Sequence, residues 1–388
     1  MPARESAADR IAPPTFTGSV VHLLLGTEGG GIITAVCQWA RLLSAQGWRI
    51  HFVSLATSNA TQMLSDAGYE STILPLGGLR RFTRLARALA PLSPRIIHCH
   101  NPASHLFALR AARRLGAKVV RTVHADMFEE MRGTLPAWRV SAWRLAMSWA
   151  LPRTALVTIV SPHLARLLPG LRGSVPNVRV IPNGFDPATI DRDDLALPDD
   201  LHAWLGDAPM VLAMGRLVPV KNFQMFLRAW QQTTQTNEEA RLVIAGSGPL
   251  ESHLRDLACQ LGIDSRVRFV GWISGIAPYL RRCGAVAISS RSECCPMLAF
   301  EAMAARRPLV ATRVGGIPYL IEHEAEGLLV PDDDAAAFAA ALTRLISDPD
   351  EAARLGLAGR RTLESRFSHR TAAQRMAAEY AAIIGPNG

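Results

Sequence analysis

What most restricts the fold of this chain is a rhythm. Short, strongly apolar runs alternate with segments of helical periodicity from residue 20 to about residue 312. "VVHLLLG" (20–26) leads through a glycine-rich turn into "IITAVCQWARLLSAQG" (32–47), whose apolar residues fall at helical spacing and which ends on a glycine stop. "RIHFVSLA" (49–56), "STILPL" (71–76), "RIIHCH" (95–100), "KVVRTVH" (118–124), "ALVTIVS" (155–161) and "VRVIPNG" (178–184) repeat the theme. Strands alternating with helices at this spacing predict a parallel sheet covered on both faces. A Pro/Asp-rich linker, "FDPATIDRDDLALPDD" (185–200), interrupts the pattern, and "MVLAMG" (210–215) restarts it. "RLVIAG" (241–246), "RVRFVG" (266–271), "AVAISS" (285–290) and "PLVAT" (308–312) follow, with helices expected at 221–235, 249–261, 296–305 and from 334 onward. The restart predicts an α/β chain of two doubly wound Rossmann-like domains in tandem, and 388 residues suit two cores better than one.

Composition narrows the function classes. The first seventeen residues are polar without an apolar h-region, and no run of eighteen apolar residues occurs, so neither a signal peptide nor a membrane span is expected. Six scattered cysteines are then expected as free thiols of a cytoplasmic protein. The formal net charge of +9 is uneven: residues 1–187 carry 21 basic and 9 acidic side chains, residues 188–388 carry 21 and 24. Such a basic first half suits nucleic acid, anionic lipid or an acidic substrate. Of 42 basic residues only Lys118 and Lys221 are lysine, which singles out Lys221.

In doubly wound sheets ligands sit beyond the carboxyl ends of the strands, and between two such domains the cleft is the default site. Four loops there collect suitable residues. "GTEGGG" (26–31), with Gly30 and Gly31, lets backbone and a helix N-terminus approach a phosphate, although a turn needing positive φ explains the glycines equally well. "GRLVPVKNF" (215–223) presents Arg216 and Lys221 after Gly215, a fork and a point charge suited to a diphosphate, or else two solvated cations. "GSGP" (246–249), with Gly246 and Gly248, is another strand-to-helix turn, with room for a ligand beside its backbone. In "SECCPMLAFEAMAARRP" (292–308), Glu293 falls beyond a strand, Pro296 is placed as the first helical residue, and Glu301 lies about a turn and a half into the helix. The free N–H groups between them suit an anion or a hydroxyl. Two carboxylates eight residues apart would touch different parts of one extended ligand, unlike the facing pair of a glycoside hydrolase. Taken singly, Glu293 is as well read as a helix cap and Glu301 as a surface residue.

The ordered series G-R-L-x-x-x-K (215–221), G-x-G-P (246–249) and E-x7-E (293–301), then "PLVATRVGGIP" (308–318), resembles the family 4 retaining glycosyltransferases of the GT-B fold. "VIPNGFD" (180–186) resembles that family's interdomain crossing, and "FSHRTAAQRMAAEY" (367–380) its final helix, which returns to the first domain. The likeness is dense over 178–380 and looser over 19–165. It implies a polar tail (1–18), an acceptor domain (19–187) joined by a last helix at about 368–388, and a nucleotide-sugar donor domain (188–367). It also implies that Arg216 and Lys221 hold the donor diphosphate, that Glu301 binds the ribose hydroxyls, and that Glu293 orients the donor sugar with the backbone near Pro296, Met297 and Leu298. Gly30 and Gly31 would close over the phosphates, with Gly215, Gly246 and Gly248 also at the donor. His124 would face the sugar near its reacting carbon, while His98 and Asn183 are read as structural. Neither metal nor cofactor is expected. The implied reaction is retaining transfer to a cell-envelope glycan or lipid-linked acceptor by a cytoplasmic protein, peripheral on the inner membrane face. A nucleotide-sugar epimerase or hydrolase of the same fold, or a non-catalytic sugar-binding protein, are the alternatives.

Two departures from the family pattern stand out. Cys294, Cys295 and Pro296 replace Gly, an aromatic, then Gly or Pro, which should reshape the sugar end of the donor pocket. Arg306 replaces the Gly after "EAMAA", at a cost of roughly 1–2 kcal/mol if it is left-handed. Asp191-x-Asp193 and residues 332–334 imitate a metal-binding pattern but read as solvated turns. His98-Cys99-His100 alternates across a strand, so only its two histidines share a face. In "LPAWRVSAWRLAMSWALPR" (135–153), tryptophans and arginines interleave at helical spacing. An interfacial helix would look like this, but a core-packed helix with Trp inside and Arg outside is the favoured expectation. Nucleic acid would explain the charge but none of the four loops, and is not expected as a partner.

Overall fold

The computed structural model describes residues 18–25, 30–57, 59–74, 81–131, 135–168, 177–273 and 275–385. All but the last residue of the polar tail, and residues 26–29 of the glycine-rich turn, lie outside the described residues. The first sheet comprises β1 (Ser19–Leu24), β2 (Arg49–Ser54), β3 (Ser71–Ile73), β4 (Ile96–Cys99), β5 (Lys118–Val123), β6 (Leu156–Ile159) and β7 (Val178–Val180). The second comprises β8 (Met210–Met214), β9 (Arg241–Ala245), β10 (Val267–Gly271), β11 (Ala285–Ile288), β12 (Leu309–Thr312) and β13 (Gly327–Val330). The strand orders are β3-β2-β1-β4-β5-β6-β7 and β10-β9-β8-β11-β12-β13, with parallel pairing throughout. Each order reverses beside its first strand, which opens a crevice at the carboxyl ends of β1/β4 and β8/β11. β13 is a strand absent from the sequence reading.

The runs form strands because they are apolar without alternation, so helices must cover both faces. All six residues of β1 are buried. Helix Gly30–Ala45 covers one face with Ile33, Val36, Trp39, Ala40 and Leu43, spaced along a single stripe. After β7 the chain crosses to the second sheet, and near its end it returns: the Phe185 N–H donates to the Phe367 carbonyl (3.1 Å), and His369 N–H to the Phe185 carbonyl (3.3 Å). The last helix, His369–Ile384, then packs on helix Gly30–Ala45 and buries Met376 and Tyr380. One buried cluster runs from Val20 and Trp39 through Met297 and Phe300 to Tyr380, so the facing sides of the two units share a core.

Helix Ala137–Ala150 departs from the favoured expectation at two of its three tryptophans, while Trp143 is half-buried against the core. Trp138, Leu145 and Trp149 are 66%, 74% and 52% exposed, and only Met147 and Ala150 of the helix are buried. Arg139 and Arg153 lie over the exposed Trp138 and Trp149 rings, 5.2 and 4.5 Å from their centroids, so cations and aromatics share the solvent side. Arg306 does adopt a left-handed conformation, with φ 56°. All six cysteines are free thiols, and no helix among the described residues is long and apolar enough to cross a membrane.

Candidate active site

The site is built where β8 and β11 leave the second sheet. Beyond β8 the chain passes Gly215 and the exposed Arg216 to a single helical turn, Pro219–Lys221. Asn222 caps it at φ 51°, a left-handed position that Asn tolerates, and its Nδ2 donates to Asp333 Oδ1 (3.0 Å). Two bonds lace this turn to the loop after β11: Ser289 Oγ donates to the Lys221 carbonyl, and Arg291 N–H to the Val220 carbonyl, both at 2.8 Å. The Lys221 ammonium is thereby set against Glu293 Oε1, which also accepts from Ser290 Oγ at 2.7 Å. The two charged side chains are only 23% and 10% exposed. Glu293 is therefore half of an ion pair and not a helix cap. Loss of one partner would leave a largely buried charge uncompensated.

Pro296, read as the first helical residue, is instead the N-cap, with φ −67° and ψ 127°. Helix Met297–Ala304 follows, so the first-turn N–H groups of Met297 and Leu298 lie at the end that favours negative charge. One turn further in, Glu301 reaches the surface in part, but its Oε2 is sealed and has no hydrogen-bond partner. That burial pushes its carboxyl up to about 7. A small cavity is lined by Met214, Lys221, Phe223, Ser290, Glu293 and Leu298 among others.

The cysteine pair, expected to reshape the sugar end of the donor pocket, is placed inside the protein. Cys294 and Cys295 are 4% and 7% exposed, belong to the shared core and do not line the cavity. Burial pushes the Cys295 thiol upward, and its carbonyl accepts from Asn183 Nδ2 (3.3 Å), which ties the interdomain crossing to the site.

The reading of "GSGP" as leaving room for a ligand also changes. A Cβ at Gly246 (φ +128°) would lie 2.0 Å from the Gly215 carbonyl oxygen, and one at Gly248 2.5 Å from that of Leu217. Close packing against the Arg216 loop already demands both glycines. Across the cleft, Gly30 and Gly31 open helix Gly30–Ala45, and a Cβ at Gly31 would come within 3.0 Å of Met297 Cγ. Two of the expected donor residues thus meet from opposite domains.

His124, just past β5, is held through Nε2 by His100 Nδ1 (3.0 Å), and burial lowers its pKa to about 3. His98 bridges Tyr380 Oη (2.5 Å) on the last helix and Thr122 Oγ1 (2.6 Å). His22, His98 and His100 offer ring nitrogens within 4.8 Å of one another. Both His98 nitrogens and both His100 nitrogens are already hydrogen-bonded, so a metal there would have to displace those partners. Sequence reasoning missed Ser290 and His22. Only the β1/β4 register, which sets His22 beside His98, could have found the latter.

The family profiles match in two blocks: residues 29–189 as Glycosyltransferase Family 4, and residues 208–348 as Glycosyl transferases group 1. The lipopolysaccharide core biosynthesis glycosyltransferase LpsD of Rhizobium meliloti is 34% identical over 181 residues, which are 47% of this chain and 50% of that protein. The chain thus matches half the length of that relative. The putative glycosyltransferase EpsD of Bacillus subtilis is 30% identical over 301 residues, 74% of this chain and 77% of that one. Among solved structures, HepE of Anabaena in complex with UDP and glucose aligns with a TM-score of 0.80 at 19% identity, covering 92% and 98% of the two chains. With two sheets facing one cleft and both halves matched, the chain belongs to the group 1, family 4 glycosyltransferases of the GT-B fold.

Proposed function

We propose that the protein moves a sugar from a nucleotide-sugar donor, with retention of anomeric configuration, onto a cell-envelope glycan or lipid-linked acceptor of the lipopolysaccharide, capsule or exopolysaccharide type. The observation that carries this reading is the Lys221–Glu293 pair, set at the ends of β8 and β11 beside the N-terminus of helix Met297–Ala304. As the bond from sugar to diphosphate breaks, negative charge gathers on the phosphate and positive charge on the sugar ring. A fixed ammonium, the Arg216 guanidinium and first-turn amides stabilise the former without reorganising. Glu293 orients the sugar hydroxyls and Glu301 the ribose. Gly30, Gly31, Gly215, Gly246 and Gly248 let backbone close around the phosphates, and His124 stands by the reacting carbon. The acceptor oxygen attacks on the leaving-group side and its proton passes to the departing phosphate oxygen, so positioning matters more than a strong base. In this reading cations already present do the electrostatic work, and transfer persists in a chelator.

The acceptor class is supported by the names of the relatives, lipopolysaccharide core enzymes among them, and the nucleotide-sugar donor by neighbours solved with UDP or UDP-glucose. The exposed Trp138, Leu145 and Trp149 and the basic first half support peripheral contact with an anionic membrane face. The test is thermal shift against UDP, GDP, ADP and their sugars, followed by transfer assays with envelope extract. Stabilisation by one nucleotide, lost in Glu301→Ala, and a turnover loss of about a hundredfold in Lys221→Ala are expected. No stabilisation by any nucleotide sinks the reading. Donor consumption without acceptor-dependent product makes the protein a hydrolase or epimerase instead.

A further inference from the structure

Asp333, in a turn after β13 that the sequence marks only as solvated, meets both loops that carry the ion pair. Its Oδ1 accepts from Asn222 Nδ2 at 3.0 Å and from Arg291 Nη2 at 3.2 Å. Asn222 directly follows Lys221, and Arg291 stands two residues before Glu293. One carboxylate oxygen thus joins the loops after β8 and β11 from a third loop, although β13 lies at the sheet edge, three places from β8.

Helix packing explains the reach. Asp334 caps helix Ala335–Ser347, its Oδ1 accepting from the Ala337 N–H at 2.9 Å, and that helix packs along helix Phe223–Thr236. About one turn into each helix, the buried Phe226 and Phe338 rings meet edge to face with centroids 5.4 Å apart, which keeps the two helix starts together. Both turn residues are left-handed without being glycine, Asn222 at φ 51° and Asp333 at φ 58°. An asparagine at a helix N-terminus ordinarily turns its side chain onto the free N–H groups there. Asn222 makes no such bond and donates to Asp333 instead. A local cap is given up, and two left-handed side chains are kept, for a contact between loops. The bonds from Asn222 and Arg291 also hold the Asp333 carboxyl below its ordinary value, so it accepts as a carboxylate at neutral pH. The exposed pair with Arg291 is worth little alone, and the buried Asn222 gives the contact its hold.

We propose that Asp333 is a positioning residue: by holding Asn222 and Arg291 on one oxygen it sets the spacing of the Lys221 and Glu293 loops, and with it the aim of the Lys221 ammonium. Ser289 Oγ and the Arg291 N–H already join these loops at two points, and Asp333 adds a third from outside them. The catalytic consequence rests on the proposed function, in which that ammonium stabilises the departing diphosphate; the buckle itself does not.

The test compares Asp333→Gly, which removes the acceptor but suits a left-handed φ, with Asp333→Asn, which tolerates that φ and keeps an acceptor oxygen. Full-length protein is labelled with nitrogen-15 in lysine; Lys118 and Lys221 are the chain's only lysines, and Lys118 is exposed. Wild type should show a slowly exchanging ammonium signal for Lys221, apart from that of Lys118. Asp333→Gly should move it toward the Lys118 signal, and Asp333→Asn should keep it in place. In transfer assays Asp333→Gly should lower kcat about tenfold, with donor KM within about threefold and Tm not lowered, and Asp333→Asn should recover most of that loss. An unmoved Lys221 signal in Asp333→Gly, equal loss in both variants, or a kcat loss that follows a lowered Tm overturns the proposal. The ammonium signal needs no substrate, so a failed transferase reading leaves that arm intact, and an unmoved signal leaves nucleotide binding untouched.

Discussion

Glu301 offers a quantitative check on the site, because its sealed Oε2 makes ionisation costly in the free protein. Its carboxyl is raised from an ordinary 4.5 to about 7 by burial. Between those values the folded chain holds a proton that the unfolded chain has lost, so stability falls as pH rises from about 4.5 through about 7 and then levels off. At about 1.4 kcal/mol per unit the whole effect is about 3 kcal/mol. This is an upper bound, since part of the residue reaches the surface and water can relax around the charge. Glu301→Gln keeps the shape and removes the titration. Its stability relative to wild type should be flat near pH 4.5 and grow by up to about 3 kcal/mol toward pH 8, or roughly 6–12 °C in Tm for a domain of this size. Thermal unfolding without nucleotide at several pH values measures it. Parallel curves for the two proteins from pH 5 to 8 would refute the burial argument. Nucleotide should show the opposite slope: ribose hydroxyls donate to a carboxylate, so affinity should rise through pH 7 in wild type and stay flat in Glu301→Gln.

Gly246→Ala should destabilise the second domain by more than about 3 kcal/mol, since a Cβ would lie 2.0 Å from the Gly215 carbonyl oxygen at φ +128°; an unchanged urea midpoint would contradict the packing role. Arg306→Gly should stabilise by at most about 1 kcal/mol, because relief of a left-handed φ of 56° outweighs a long, exposed contact to Asp191 at 4.0 Å; a lower Tm would mean the ion pair matters more. Replacing Trp138, Leu145 and Trp149 together by Gln should cut binding to anionic vesicles at least about tenfold while transfer to a soluble acceptor is retained. Wild-type vesicle binding should weaken with salt, and salt-insensitive absence of binding would remove the membrane reading.

The central strands β1, β8, β11 and β12 were legible because each is a largely apolar run, a pattern a doubly buried strand needs and a surface helix avoids. β13 escaped because four residues at a sheet edge, Gly327–Val330, form too short a run to stand out. Helix Ala137–Ala150 shows a different limit. Trp138, Ala142, Leu145 and Trp149 fall on one helical stripe, and periodicity says which residues share a face, not which face turns inward. All four are exposed. Lys221 and Glu293 were each singled out from the sequence, yet their pairing was not, because 72 residues separate them and only the adjacency of β8 and β11 brings them together.

The glycines carry the deeper lesson about the site. In the sequence they signify room for a ligand; in the structure Gly246 and Gly248 mark places where backbone meets backbone too closely for a side chain, and Gly31 lies tight against the Met297 side chain. The loop contacts argue the same way: the Lys221 carbonyl is held by Ser289, and the Glu293 carbonyl by the Gly316 N–H at 2.7 Å. Neither partner of the ion pair depends on a ligand for its place. In the proposed function, a diphosphate arriving at Lys221 would meet a cation already oriented and partly desolvated, and would need to displace only one carboxylate oxygen, which would then be free to accept from a sugar hydroxyl. Electrostatic stabilisation of this kind is strongest when the charges are fixed before the reaction begins. Fixing them requires close contact between loops, which is why Gly246 and Gly248 serve packing first.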